Sequence, residues 1–339
     1  MNVAVVGAGY WGPNLIRNFR AHPQAELKWV CDLNRGLAER AVGRQSGIRV
    51  TTSLEDLLND KELDAIAIAT PPATHHPIAI AALEAGKHIL IEKPLATSVP
   101  DGEAVVKLAD ESGLVVMCDH TYCYTAAVQK IRDLVVTGTI GDLLYVDSVR
   151  INLGLVQKDI DVFGDLAPHD ISILDFILPE RWAPYAVAAH GADPLHTGKV
   201  CVGYLTLRLG GGALAHIHVN WLSPTKIRTM VVGGSRRTLV WDDLNPAQRL
   251  SIFDRGVDVA LLDDAERKRE VLVSYRLGEM IAPALPETEA LRSSVSEFLS
   301  AIRERRRPLT DGQAGLRVLR VLEAAVESMS ENGRQIALG

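Results

Sequence analysis

The chain opens with Val3-Ala-Val-Val-Gly-Ala-Gly-Tyr-Trp-Gly12, an apolar run that passes directly into three spaced glycines. A short apolar, β-branched run predicts a buried strand. Gly7, Gly9 and Gly12 form G-x-G-x-x-G at the start of a helical pattern, where backbone N–H groups and the helix dipole converge on a pyrophosphate. The stretch therefore predicts a dinucleotide site, to which we assign the intervening Tyr10 and Trp11 as well.

Asp32 supports this interpretation from the end of the second predicted strand, about 20 residues further on. A carboxylate there accepts hydrogen bonds from the adenosine ribose and repels a 2′-phosphate. The expected cofactor is therefore NAD rather than NADP. The alternative is a tight strand-to-helix turn followed by a solvated aspartate.

Through about residue 120 the chain alternates strand-like and helical patterns, which is typical of a parallel, doubly wound sheet. We predict an α/β protein with an N-terminal NAD-binding Rossmann domain at residues 1–120. The predicted strands are Val3–Val6, Leu27–Cys31, Ala65–Ala69, His88–Ile91 and Val115–Cys118, and the predicted helices include Trp11–Arg20, Ser53–Leu58 and Thr74–Ala85.

Residues 121–339 have a different pattern, with consecutive strand-like runs that favour an antiparallel or mixed sheet. We predict a C-terminal α+β domain with a large, mainly antiparallel open sheet, which binds substrate and mediates oligomerisation. Its predicted elements are helix 126–136, strand 143–153, a helix opening at Pro168, strands 183–189, 200–209, 213–221, 226–232 and 237–241, and helices 289–303 and 312–330.

Composition excludes several classes of protein. The formal net charge is −6 and basic residues form no run that could neutralise a row of phosphates, so nucleic-acid binding is not expected. No segment approaches the ~20 consecutive apolar residues of a membrane span. The four cysteines form no C-x-x-C pair, which indicates a reducing compartment, and we expect a soluble, cytoplasmic protein.

Two further segments follow predicted strands, at the carboxyl edge where a doubly wound sheet binds its ligand. Thr70, Pro71 and Pro72 come first, with His75 at the entry of the next helix, and we assign all four to the cofactor cleft. An ordinary proline turn is the alternative. Glu92-Lys93-Pro94 comes second. Because proline restricts the preceding residue and allows a cis bond, it would fix Lys93 near the expected nicotinamide; the alternative is a surface lysine.

Ala4-Val-Val-Gly-Ala-Gly-Tyr-Trp-Gly12, Ala69-Thr-Pro-Pro72 and Glu92-Lys93-Pro94 together resemble the Gfo/Idh/MocA family over nearly the whole chain. The resemblance implies an NAD-dependent oxidoreductase that acts on sugar hydroxyl groups, and a homodimer or homotetramer. It also implies a catalytic Asp-x-x-x-His pair, which Asp165 and His169 supply. Without the resemblance, helix capping by Asp165 or Asp170 would be the simpler interpretation.

Oxidation of a secondary alcohol needs loss of a hydride from carbon and of a proton from oxygen. His169 is the first choice of base because the ordinary pKa of histidine lies near neutrality. Lys93 could instead take the proton or polarise the carbonyl, and Asp165 would orient the pair. The sequence leaves this division of labour open.

Arg150-Ile-Asn-Leu-Gly154, the segment Asp165–Ser172 and the segment Asn220–Arg228 resemble a branch that acts on nucleotide-linked sugars, at C3 of a substrate such as UDP-N-acetylglucosamine. Candidate sugar or phosphate contacts, in addition to the catalytic residues, are Tyr122, Tyr124, Asn152 and Lys226. The alternative is that these residues belong to the core or to a sheet face. Local cations such as Arg150 would suffice to hold an anion. The segment Asp119–Tyr124 departs from the pattern, since it lacks the arginine that many sugar-oxidising relatives carry.

Three alternatives remain. The enzyme could oxidise a free cyclitol or sugar. It could reduce and reoxidise tightly held NAD within one catalytic cycle, without net redox. The chain could also be a non-catalytic module that senses NAD or a sugar. His216 and His218 share one face of a predicted strand, but two imidazoles without a third ligand make a poor metal site. We predict no metal.

Overall fold

The computed structural model describes residues 1–43, 47–154, 156, 160–261 and 271–338. The chain divides into two compact units: unit 1 comprises Met1–Thr125 and Glu287–Glu323, and unit 2 comprises Ala126–Pro286 and Ala324–Gly339. No helix among the described residues is both long enough and apolar enough to cross a membrane.

Unit 1 contains, within the described residues, a six-stranded sheet in the order β3-β2-β1-β4-β5-β6, with every pairing parallel. This is the strand order of a Rossmann fold, as predicted. The strands are β1 (Asn2–Val6), β2 (Glu26–Cys31), β3 (Arg49–Thr51), β4 (Ala65–Ile68), β5 (His88–Glu92) and β6 (Val116–Asp119), and the helices before residue 125 are α1 (Gly12–Ala21), α2 (Arg35–Val42), α3 (Leu54–Leu58), α4 (His75–Glu84) and α5 (Val99–Ser112).

Local sequence explains where these elements begin and end. Every residue of β4 is buried, as expected for a central parallel strand covered on both faces. The Ser98 side chain accepts a hydrogen bond from the Asp101 N–H and caps α5, which ends at Gly113 in the left-handed conformation. Because all six strands of this sheet are parallel, their carboxyl ends share one edge, and the predicted site residues of unit 1 lie at that edge.

Unit 2 contains, over the described ranges, a nine-stranded sheet in the order β14-β13-β12-β11-β7-β10-β9-β8-β15. β7 and β10 are parallel and the other described pairings are antiparallel. The predicted mainly antiparallel sheet is confirmed. The elements are α6 (Ala126–Val136), β7 (Leu143–Leu153), α7 (Val162–Ile177), β8 (Pro184–Ala192), β9 (Val202–Leu209), β10 (Leu214–Asn220), β11 (Leu222–Gly234), β12 (Thr238–Asp242), β13 (Leu250–Leu261), β14 (Val271–Ile281) and, near the carboxyl end, β15 (Ile336–Ala337).

The two helices α8 (Ala290–Glu304) and α9 (Gly312–Ser330) follow. α8 and the first part of α9 belong to unit 1, whereas we predicted that residues 121–339 form one domain. α8 buries Val295 and Phe298, and Ser294 donates a hydrogen bond to Asp119 of β6. An amphipathic pattern predicts which face of a helix is buried but not which sheet covers it, and this accounts for the difference.

The prediction that a helix opens at Pro168 is wrong. α7 begins at Val162, with the Asp161 side chain as its N-cap, and Pro168 lies inside the helix. An interior proline removes one helical hydrogen bond and costs about 3 kcal/mol. The helix tolerates it because most of its residues, Pro168 included, are buried.

Candidate active site

Of the three glycines in the turn, one borders open space and the other two lie against backbone atoms. Gly7 has φ +96°, and a Cβ there would lie 2.5 Å from the Ala69 carbonyl oxygen. A Cβ on Gly12 would collide with the Gly7 carbonyl. A Cβ on Gly9 would meet no atom within 4 Å. Gly7 and Gly12 thus allow the strand and helix to pack closely, while Gly9 presents open backbone to a bound group such as the pyrophosphate of NAD.

The Asp32 carboxylate follows β2 and is oriented by backbone donors. The N–H of Ala8 donates to Oδ2 at 2.7 Å, and the N–H of Asn34 donates to Oδ1 at 2.7 Å. Because a carboxylate can accept about four hydrogen bonds, Asp32 keeps acceptor capacity for a ribose hydroxyl. In the same turn Tyr10 is 95% exposed. Open backbone at Gly9 and a carboxylate with spare acceptor capacity at Asp32 are the features that a dinucleotide-binding turn requires.

The Thr70–Thr74 loop follows β4 and continues into α4. Pro72–Thr74 forms one 3₁₀ turn, and the Thr74 hydroxyl donates to Thr70 Oγ1 at 2.8 Å. The loop lies at the predicted carboxyl edge, next in the sheet to β1 and its glycine turn. Thr70, Pro71 and Pro72 are therefore placed with the glycine turn in unit 1.

The structure does not support direct cofactor binding by His75. Its side chain is fully buried, with Nδ1 at 2.7 Å from the Pro94 carbonyl oxygen and Nε2 at 2.8 Å from the Thr70 carbonyl oxygen. Burial lowers the pKa of His75, and the two carbonyls oppose this effect. The ring therefore connects the loops after β4 and β5. The sequence pattern could not distinguish this from a cofactor contact, because the Pro94 carbonyl belongs to a residue 19 positions further along the chain.

Lys93 and Pro94 follow β5 and are joined to each other by a cis peptide bond. Glu92, the last residue of β5, is paired in register with Asp119, the last residue of β6. Burial raises the pKa of both carboxyl groups, and the charge of Asp119 raises that of Glu92 further. Ser294 donates to Asp119 Oδ1 at 2.7 Å. A buried polar cluster thus surrounds the base of Lys93.

We did not predict Asp119 or His120 as site residues. His120 is 2% exposed, and burial together with the charge of Lys93 lowers its pKa to about 3. Neither of its ring nitrogens has a hydrogen-bond partner among the described residues. One sequence signal could have identified them. An Asp-His pair directly follows the apolar run Val115–Cys118, much as Glu92-Lys93 follows the apolar run of β5.

The two tyrosines predicted to contact substrate differ in their surroundings. Tyr124 is buried, and its hydroxyl forms a 2.8 Å hydrogen bond with Thr310 Oγ1. This position argues against the predicted substrate contact, because the polar end of the side chain is already used inside unit 1. Tyr122 is only half-buried, in a 3₁₀ turn at Thr121–Tyr124. It stays a candidate.

In unit 2, Asp165 and His169 are four residues apart on α7, so they lie on one face of the helix. The Trp221 indole Nε1 donates to Asp165 Oδ2 at 3.1 Å. Trp221 is 1% exposed and follows β10. Trp221 therefore holds Asp165 from the side of the sheet. Asp165 and His169 are both half-buried.

The residue after His169 is not a helix cap. Asp170 accepts from Arg150 Nε at 2.8 Å, from Arg150 Nη2 at 3.0 Å and from the Ser148 hydroxyl at 2.9 Å. Arg150 is 2% exposed. This buried ion pair ties α7 to β7, so Arg150 is not the available cation that we expected for an anionic ligand.

Asn152 and Lys226 lie on neighbouring strands. Asn152 of β7 is half-buried, and the pairing of β7 with β11 is interrupted between Leu222 and Ile227. Lys226 is exposed within this interruption. The register thus places Lys226 on the bulged segment opposite Asn152. Among the described residues no three histidine, cysteine or acidic side chains are grouped to hold a metal.

Comparison with known proteins agrees with this geometry. Residues 1–120 match the family model of the oxidoreductase family with an NAD-binding Rossmann fold, GFO_IDH_MocA. Residues 132–338 match the model of that family's C-terminal alpha/beta domain. Together the two models cover most of the chain.

Several relatives are similar over most of their length. UDP-N-acetylglucosamine 3-dehydrogenase of Acidithiobacillus ferrooxidans is 28% identical over 94% of both chains; its solved structure superposes with a TM-score of 0.79 at 27% identity, covering 97% of each chain. 4-carboxy-2-hydroxymuconate-6-semialdehyde dehydrogenase of Sphingobium sp. is 31% identical over 98% of this chain and 100% of its own. Levoglucosan dehydrogenase of Pseudarthrobacter phenanthrenivorans is 30% identical over 81% of this chain and 76% of its own. The chain therefore belongs to the Gfo/Idh/MocA family and is an NAD-dependent oxidoreductase.

Proposed function

We propose that the chain transfers a hydride between NAD and C3 of a nucleotide-linked sugar such as UDP-N-acetylglucosamine. The observation that carries the proposal is the Asp165–His169 pair on one face of α7, with Asp165 held by Trp221, in a chain that also has Lys93 after β5. The full-length similarity to a UDP-N-acetylglucosamine 3-dehydrogenase supports the choice of substrate.

In this proposal Gly9, Asp32 and the loops after β4 and β5 would hold NAD, which would supply the hydride acceptor for oxidation and the hydride donor for reduction. His169 exchanges a proton with the substrate oxygen, because an imidazole titrates near neutral pH. Asp165 fixes the orientation of the imidazole. Lys93 interacts with the same oxygen. Lys226, exposed on the β11 bulge, supplies a cation for the diphosphate, and Asn152 and Tyr122 are further candidate sugar contacts.

The experiment is a panel of UDP-, dTDP- and GDP-sugars together with inositols and free sugars, with NADH formation followed by absorbance. We expect turnover with a UDP-sugar. Turnover only with free sugars or cyclitols would favour the second candidate, which the similarity to levoglucosan dehydrogenase supports. NAD binding without turnover of any substrate would favour a sensing module. Co-purified NAD that is never released as NADH would indicate non-net redox chemistry.

Variants test the assigned residues. Lys93→Ala and His169→Ala should each lower turnover by at least ~100-fold while NAD binding survives, because groups that act on the transferring proton contribute about that much. Lys107→Ala and His196→Ala, at exposed positions, are matched controls. Lys226→Ala should raise KM for UDP-sugars but not for a free sugar. Near-normal turnover of Lys93→Ala or His169→Ala would remove that residue from the mechanism.

We also propose a homodimer or homotetramer formed through the open face of the unit 2 sheet. Large side chains on its strands are partly exposed, including Tyr145 at 39%, Tyr204 at 41% and Tyr185 at 53%. Exposed apolar area of this kind favours association. Light scattering coupled to gel filtration gives the mass directly, and a monomer at micromolar concentration would contradict the proposal.

A further inference from the structure

A cavity of about 510 Å³ lies in unit 1, at the amino edge of the sheet, opposite the edge that carries the glycine turn. His88 and Val116, the first residues of β5 and β6, line it together with the ends of α5 and α8 and the loop before α9. β5 has five residues, so at about 3.3 Å per residue its two ends are ~13 Å apart. The length of this strand therefore separates the cavity from Lys93.

Two helices end beside this cavity in the same backbone conformation but with different residues. α5 ends at Gly113, with φ 64°, and α8 ends at Arg305, with φ 52°. Both residues line the cavity. Glycine adopts the left-handed conformation without steric cost, whereas a residue with a Cβ is strained there. Arg305 thus stands where glycine would be more stable, and a side chain kept at the expense of stability indicates a use for that side chain.

Arg305 also differs from the two arginines that follow it in its charge partners. Each of these two is paired with two carboxylates. The pairs are Arg306 with Glu297 and Glu304, and Arg307 with Asp110 and Asp311. Arg305 has no ion-pair partner among the residues that the structure describes. It therefore brings to the cavity a positive charge that no described carboxylate neutralises.

His88 supplies a second donor. The backbone N–H of Val115 donates to His88 Nδ1 at 2.9 Å, so this nitrogen carries no proton and the neutral ring carries its proton on Nε2. Within the described part of the chain, that N–H makes no hydrogen bond. The carboxylates that line the cavity are engaged, because Asp110 and Asp311 both pair with Arg307. A bound molecule would therefore have to supply the acceptors.

The wall opposite these donors is apolar. Val106 and Ala109 of α5 and Val116 of β6 line the cavity and are each at most 5% exposed. The volume lies within the range of about 300–1,000 Å³ that is usual for small-molecule sites, which combine apolar walls with a few placed polar groups. The cavity is thus suited to a ligand with one charged end and an apolar body.

We propose that this cavity binds a small organic anion, whose carboxylate or phosphate group accepts hydrogen bonds from Arg305, with His88 as a second donor, and whose apolar body packs against α5. The planar guanidinium fork matches either acidic group. The inference does not depend on the proposed function. Because the cavity and the glycine turn lie at opposite edges of the sheet, the anion and NAD bind at the same time.

Titration calorimetry of the chain saturated with NAD tests the ligand class. The probes are phenyl phosphate and benzoate, with inorganic phosphate and phenol as the charged part and the apolar part alone. We expect at least one of the two aromatic anions to bind, and the tighter one identifies the acidic group. Inorganic phosphate and phenol should each bind at least ~10-fold more weakly. No binding of either aromatic anion at millimolar concentration, or equal binding of inorganic phosphate, would overturn the proposal.

Arg305→Gly separates binding from folding. This variant should melt at a higher temperature than the parent chain, because glycine relieves the left-handed strain. Its Kd for the aromatic anion should rise ~10-fold or more, since a hydrogen bond to a charged group is lost. Arg20→Ala, at an exposed position of the same unit, is the control and should keep the Kd of the parent chain.

The same variant decides against the proposal in two ways. Unchanged anion binding by Arg305→Gly would overturn it, whatever the melting temperature. Weaker binding together with a lower melting temperature would leave Arg305 only a structural role, and would also overturn it. The Kd for NAD serves as the internal reference and should be the same in Arg305→Gly, Arg20→Ala and the parent chain.

Discussion

Asp170 in unit 2 and Asp119 in unit 1 are each 1% exposed, but their partners differ. Asp170 meets the Arg150 guanidinium through two hydrogen bonds and the Ser148 hydroxyl through a third. Asp119 lies in register with Glu92 of the neighbouring strand and accepts hydrogen bonds from the hydroxyls of Ser294 and Thr121. The first arrangement neutralises a buried charge and joins a helix to a sheet. The second places two carboxyl groups side by side in unit 1, and burial raises the pKa of each.

The contrast shows how one fold uses buried carboxylates for two purposes. The positive charge of a guanidinium stabilises the ionised form of a carboxylate beside it. Removal of either partner leaves a buried charge alone. Two neighbouring carboxyl groups in a buried site have raised pKa values, because like charges repel and burial disfavours the ionised form. The former therefore serves the architecture of α7, which carries Asp165 and His169, and the latter serves the surroundings of Lys93.

The largest effect is expected for Asp170→Ala. It leaves Arg150 buried without its counter-charge and should lower the free energy of unfolding by about 3–5 kcal/mol. Urea titration followed by tryptophan fluorescence measures this. The double variant Arg150→Met/Asp170→Leu should recover most of the loss, because an apolar pair of similar size replaces the ion pair. A loss below about 1 kcal/mol would mean that the pair does not hold α7.

Asp32→Ala extends the comparison to a carboxylate that is bound by two backbone N–H groups and is not fully buried. Loss of hydrogen bonds from the ribose to a charged acceptor costs about 1.5–3 kcal/mol, which is tenfold or more in Kd for NAD. Titration calorimetry with NAD and NADP measures it, with Glu39→Ala on the exposed face of α2 as control. Equal affinities for the two cofactors in the parent chain would contradict the assignment.

His75→Phe tests how much a neutral hydrogen-bond donor contributes to the free energy of unfolding, for comparison with the charged groups. A neutral imidazole donates to only one of the Thr70 and Pro94 carbonyls. The substitution leaves that buried acceptor without its donor and should cost about 1–3 kcal/mol of unfolding free energy. His76→Phe is the matched control, since His76 is only half-buried and its nitrogen lies 3.7 Å from Asp101. If the two variants lose the same stability in urea, His75 does not join the two loops.

The smallest effect concerns the pH dependence of stability. Burial raises the pKa of Glu92, so the folded chain keeps a proton that the unfolded chain loses above the ordinary glutamate pKa. The associated stability is complete below that value and is lost as pH rises toward the raised pKa. Glu92→Gln removes this loss. Its unfolding free energy should therefore rise relative to the parent chain between acidic and mildly alkaline pH, and a constant difference would contradict the prediction.

Much of the candidate site was predictable from short segments. Gly7, Gly9 and Gly12 stand at fixed spacing after one strand, and Lys93 stands at the end of another, so strand periodicity and turn chemistry suffice to place them. His75 and Tyr124 were assigned to ligands because a sequence pattern shows a polar residue near a loop but not what fills its hydrogen bonds. In both cases the partner is a distant residue, Pro94 or Thr310.

The amino-acid sequence by itself determined the alternation of strands and helices in unit 1, the glycine turn and the family of the chain, because these depend on local spacing and composition. Only the tertiary structure decided that α7 runs through Pro168, that Glu92 pairs with Asp119, and that Arg150 neutralises Asp170. These features depend on strand register and burial. Neighbours that are far apart in the chain set the charge of a buried group, and no local pattern contains that information.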